Sequence, residues 1–183
     1  MLANLFALLL TVLIAHQDNH LISWTSSRKL TWDDFRGPVD PGSKNAALTI
    51  SNINIEFQYD DKELVYSIKC TFNKQKSWVR IRNNDVLAHE QGHFDLAEVH
   101  ARRLYKAMKE YKFNPGTVGD DVNRIYNSVM KMHHEAQHQY DQETDYSRNR
   151  PKQLEWEKKI AAELKSLQAY ANYQKWKGCI AGH

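Results

Sequence analysis

The hydrophobic period of this chain changes once, near residue 84, and that change limits the folds open to it. Before it, Ile53, Ile55, Phe57 and Tyr59 alternate with Asn54, Glu56 and Gln58. Tyr66, Ile68, Cys70 and Phe72 alternate with Ser67, Lys69 and Thr71. Period two marks half-buried strands, and the polar run Asp60-Asp61-Lys62-Glu63 between them predicts a hairpin. Residues 78–81 read as a further strand, and Gly37-Pro38 and Pro41-Gly42 mark an earlier loop. After residue 84 the period is helical. Helices are expected over 85–111, with Asn84 as N-cap and Asn114-Pro115-Gly116 as the stop, over 118–140, and over 151–173. Thr117 and Asp120 resemble a capping box, and Pro151 suits a first helical turn. Strands followed by helices predict an α+β fold, an N-terminal antiparallel β-sheet packed on three long C-terminal helices.

The first fifteen residues stand apart. Residues 5–15 form an apolar run of eleven, too short to span a bilayer and the right length for a signal-peptide core. Residues 1–15 are therefore expected to direct export and 16–183 to form one domain, secreted or periplasmic. The segment contacts a membrane only if it stays uncleaved. A net charge of +3, with 26% charged residues spread along the chain, gives no basic patch for nucleic acid. An exported chain could pair Cys70 with Cys179.

Residues His89-Glu90-Gln91-Gly92-His93 carry the chemistry. On a helix, residues four apart share a face one turn apart, so two imidazoles can bind one Zn²⁺. Glu90, beside the first ligand, is placed to act as general base toward a water polarised by the metal. At 100° per residue, Val86, His89, His93, Ala97, His100, Leu104, Ala107 and Tyr111 form one stripe. Both motif histidines therefore face inward. His100 lies two turns beyond His93, about 10 Å along the axis, too far to share the ion. A second match, His134-Glu135-Ala136-Gln137-His138, lies opposite the apolar stripe of its helix and reads as a solvated face. The two copies also give paired Glu-x-x-His motifs, the pattern of a di-iron carboxylate bundle, which needs two further helices. A catalytic zinc needs a third protein ligand. Helical phase brings Glu143 and His133 nearer the buried stripe and leaves Asp141 at its edge.

The residues around the motif, Leu87-Ala88-His89-Glu90-Gln91-Gly92-His93-Phe94-Asp95-Leu96-Ala97-Glu98, resemble those of a bacterial domain-of-unknown-function family described as predicted secreted zinc-dependent proteases. Arg28-Lys29-Leu30-Thr31-Trp32-Asp33-Asp34-Phe35-Arg36-Gly37, Ser77-Trp78-Val79 and Tyr140-Asp141-Gln142-Glu143-Thr144 are similar to further signatures of it. The likeness runs from about residue 24 to 164. It implies a zincin-like α+β domain with His89 and His93 as ligands and Glu90 as base. The Tyr-Asp pair at the heart of one signature favours Asp141 as third ligand. Members often carry His where this chain has Tyr146. The resulting expectation is an exported zinc-dependent peptidase acting on a peptide or protein, with residues 78–81 offering an edge for an extended substrate. The alternatives are a closed, non-catalytic zinc site and the di-iron protein.

Overall fold

A computed structural model describes residues 20–173 and 178–181. The elements run β1 (Leu21–Ser23), β2 (Ala47–Leu48), β3 (Ser51–Tyr59), β4 (Glu63–Asn73), β5 (Trp78–Val79), α1 (Asn84–Glu110), α2 (Val118–Glu143), α3 (Arg150–Ser166) and β6 (Gly178–Ala181). This is the expected α+β order. The apolar run 5–15 lies outside the described residues. Among the described residues no helix is long and apolar enough to cross a membrane.

The alternating residues set the strand register. Ile53 faces Cys70, Ile55 faces Ile68, Phe57 faces Tyr66 and Tyr59 faces Leu64, so apolar partners meet across the β3–β4 hairpin. The turn is closed by Asp60, whose side chain accepts from the backbone of Lys62 and Glu63 at 2.8 and 2.9 Å. β4 is central. β3 pairs along one edge, while β1 and β6 share the other. That register settles the cysteines. Cys179 stands opposite Val65, five residues along β4 from Cys70. The intervening roughly 17 Å of strand far exceeds the Cα separation of a disulfide, and Cys70 is a buried free thiol.

α1 departs from the single stripe expected of it. Phe94, Ala97, Ala101, Leu104 and Met108 pack toward the sheet, with Leu64, Tyr66, Ile68, Cys70 and Phe72. Leu96 and Val99 pack the other way, against Tyr140 of α2 and Trp156 and Ile160 of α3. α1 is thus the middle layer, and polar residues are enclosed with it. Arg102 is buried. It pairs with Glu98 at 2.7 Å and donates to the Leu164 carbonyl. The segment before β2 is fastened to α1 by Gln91 and Asp95. Gln91 accepts from Leu30 N at 2.8 Å, and Asp95 accepts from the Trp24 indole at 2.7 Å.

The helix ends move by small amounts. Asn83, not Asn84, caps α1 by accepting from Val86 N. At α2, Thr117 donates its hydroxyl to Asp121 and forms no box with Asp120. α2 continues to Glu143, past the expected end at Tyr140, and α3 stops at Ser166, short of 173. α2 buries Val122, Val129, His133 and Tyr140 along one stripe, with Ile125, Tyr126 and Ala136 half-buried beside them.

Candidate metal centre

α1 and α2 run antiparallel, so residues four apart on one meet residues four apart on the other. His89 stands against Asp141, and His93 against Gln137. The two imidazoles meet edge to face with centroids 4.7 Å apart. Their Nε2 atoms are 3.1 Å from each other. Asp141 Oδ1 lies 3.1 Å from the first and 3.0 Å from the second. Among the described residues these three form the group that could hold a metal ion. Donors about 2.0–2.1 Å from a tetrahedral zinc stand roughly 3.3 Å apart, so the observed triangle is close to that size.

The protons support the same reading. His89 Nδ1 faces Gln153 Oε1 at 3.2 Å, and His93 Nδ1 faces Gln137 Oε1 at 2.5 Å. Amide oxygens accept, so each Nδ1 carries a hydrogen, and each Nε2 turns inward either a lone pair when its ring is neutral or a proton toward Asp141 when it is charged. Two lone pairs and a carboxylate oxygen at 3.0–3.1 Å repel unless a proton or a cation lies among them. Burial alone would raise the Asp141 carboxyl, but hydrogen bonds and charge from His89 and His93 hold it far below the usual carboxylate range. Burial lowers His93, yet Asp141, Glu90 and Gln137 outweigh it and raise the group. The centre attracts positive charge.

Glu90 is enclosed beside this triangle, 4% exposed, and its Oε2 has no hydrogen-bond partner among the described residues. A buried carboxylate oxygen without a partner is costly, which fits a group set aside for a ligand. The cleft it shares with the three donors has a volume of about 260 Å³ and is walled on one side by β2 and the residues flanking it. Thr49 ties that wall to α1 by donating to the Glu90 carbonyl. Arg80 N donates to Ala46 O at 2.7 Å, so Ala46 and Leu48 present their backbone groups to β5. Ala47 between them, which lines the cleft, points its own away from β5. The strand edge at the site therefore belongs to β2. Residues 78–81 do not supply it, because β5 lies on the far side of β2 and ends at Val79.

The remaining candidates separate clearly. Glu143 is exposed and accepts from Trp156 Nε1 at 2.9 Å, away from the triangle. His133 lines the cleft but bonds Gln137 instead of joining the donors. Burial and neighbouring histidines push His133 down to about 3. His100 packs on it with centroids 5.3 Å apart and donates Nδ1–H to Leu96 O. His134, Glu135 and His138 are exposed, so the two Glu-x-x-His copies do not meet. Tyr146 lines the cleft from a turn in which Asp145, Tyr146 and Ser147 all have positive φ, of 48°, 52° and 76°.

Sequence reasoning missed Tyr140, Gln137, Gln153 and Ala47. Tyr140 stacks on His89 at 4.6 Å and also meets the His93 ring edge-on. It explains the glycine of the motif, since a Cβ at Gly92 would lie 2.2 Å from the Tyr140 hydroxyl oxygen. The buried stripe of α2 held a signal for Tyr140. Two glutamines and an alanine carry none.

No curated protein and no solved structure matches the chain. The model of a family described as "Bacterial protein of unknown function (DUF922)" matches residues 30–148, which hold most of the Arg28–Gly37 signature, α1, the cleft wall and every donor of the triangle. On that match, across about two thirds of its length, the chain belongs to this bacterial family.

Proposed function

We propose that the protein is a zinc-dependent peptidase exported by its N-terminal segment. The observation that carries this reading is the buried Glu90 Oε2, without a hydrogen-bond partner among the described residues, beside the His89, His93 and Asp141 triangle. A purely structural site needs no carboxylate there, and three protein donors leave a fourth position open for catalysis. His89, His93 and Asp141 would hold the zinc ion, which when bound would supply polarisation of a carbonyl and acidification of water.

The chain's own residues supply the rest. Ala47, with its N–H and C=O pointing away from β5, pairs with one residue of an extended peptide and fixes the scissile bond along β2. Glu90 Oε2 takes the proton of the attacking water and passes it to the leaving amine. Buried Tyr140 keeps the ligand rings in place by stacking on His89.

Glu90→Gln tests this reading, because it keeps shape while removing the proton acceptor. Zinc content and thermal stability should stay near wild type. Cleavage of a mixed peptide library, followed by mass spectrometry, should fall at least about 10²–10⁴-fold. Equal cleavage by both proteins would refute the assigned role. Zinc uptake without cleavage by wild type would favour the closed-site reading.

A further inference from the structure

The two ligand histidines are each backed by a neutral amide, and each amide has its orientation fixed from outside. Gln137 Nε2 donates to the His93 backbone carbonyl at 2.9 Å and to His133 Nε2 at 2.8 Å. A carbonyl only accepts, so the Gln137 oxygen must face His93 Nδ1. Gln153 is wholly buried, and its Nε2 donates to the Glu157 carboxylate at 3.1 Å and to the Tyr140 hydroxyl at 2.8 Å. Its oxygen faces His89 Nδ1 at 3.2 Å and also lies within reach of the Tyr140 hydroxyl at 3.0 Å. Burial keeps His133 neutral, as an acceptor for Gln137 requires.

We propose that Gln137 and Gln153 are positioning residues that present both imidazoles to the cation through uncharged carbonyls, with His133 and Glu157 locking the two amides. The proposal rests on the metal-binding part of the reading above, not on hydrolysis. Ligand histidines commonly donate their second N–H to a carboxylate, backbone carbonyl or water, and such partners set both ring orientation and ligand basicity. A carboxylate would strengthen the nitrogen donor. An amide fixes the ring equally well without that effect and leaves more of the cation's charge at the open position. Among the described residues the formal negative charges lining this cleft are then Asp141 and Glu90.

The test is zinc affinity by competition with a chromophoric chelator, together with thermal melting of the metal-free proteins. Gln137→Met and Gln153→Met keep length but cannot accept, and each should weaken zinc about 10–100-fold. The paired exchange Gln153→Glu with Glu157→Gln conserves net charge and keeps one amide and one carboxylate, with the hydrogen bond between them reversed and the Tyr140 hydroxyl free to donate to position 153, while moving the charge onto the His89 partner. It should bind zinc more tightly than wild type, with the pH midpoint of zinc uptake shifted down. A purely structural role would not produce opposite signs from the two kinds of change. Wild-type affinity in the Met variants would overturn the proposal, as would an exchange variant binding no more tightly than Gln153→Met. If a Met variant fails to fold, the exchange alone decides. A wild type that binds zinc but cleaves nothing leaves this proposal standing and removes the peptidase. One that takes up no divalent cation overturns both.

Discussion

Asp141 and Glu143 are two residues apart, yet one faces two imidazoles and the other an indole. Helical phase counted from the apolar stripe brings Glu143 nearer than Asp141, but at its C-terminal end α2 turns that residue toward Trp156 of α3. Asp141, at the edge of the stripe and 29% exposed at its side chain, is the one that reaches both imidazoles of α1. The family signature pointed to Asp141, whereas periodicity alone did not. Asp141→Asn should lower zinc affinity by more than the roughly 100-fold that marks loss of an outer partner. Glu143→Gln should leave affinity at the wild-type value. Equal losses in the two variants, measured by chelator competition, would remove Asp141 from the donor set. The backing glutamines were invisible for another reason. A neutral amide has no characteristic spacing, and its role arises from contacts 44 and 64 residues away in sequence.

At the scale of elements, the hairpin and three helices were legible because each carries a period. β2 was not, since two residues cannot show alternation and only the backbone of Ala47 matters. The enclosure of α1 on two sides was also missed. A helix between two layers needs apolar and small residues all round, and its buried Glu98–Arg102 pair masks that pattern. Gly92 belongs to this level. In an isolated helix, Gly→Ala stabilises by about 1 kcal/mol. Here the added carbon strikes the Tyr140 oxygen at 2.2 Å, and overpacking of this kind typically costs about 1–3 kcal/mol. Gly92→Ala should therefore lower the urea midpoint. It should also weaken zinc, since Tyr140 stacks on His89. A variant at least as stable as wild type would show that Tyr140 moves aside freely.

For the whole molecule, the α1–α2 contact makes stability depend on pH. Burial, opposed by the Leu96 carbonyl and helped by Arg103, pushes His100 down to about 4, and His133 lies at about 3. In the unfolded chain both titrate near 6.5. Below that value the unfolded state takes up protons that the folded state refuses. Their contribution is complete above pH 6.5 and is lost as pH falls toward 4, with a slope of up to about 2.7 kcal/mol per pH unit for the pair. Asp141 acts only lower, as pH falls below 3.8. His93, raised when folded, contributes with the opposite sign in metal-free protein. Urea unfolding with chelator at pH 7, 6 and 5 should show a shallower fall when His100→Leu and His133→Leu are combined. An unchanged slope would place the titration elsewhere.

The central strand carries one more consequence. Cys70 is wholly enclosed between sheet and α1, and burial together with Glu98 and Asp95 lifts its thiol well above the ordinary range. A thiol in that state is inert to alkylating reagents for as long as the sheet and α1 stay closed. Its rate of capture by such a reagent is therefore a clock on the opening of the molecule, wound by the same packing that holds the ligands in place.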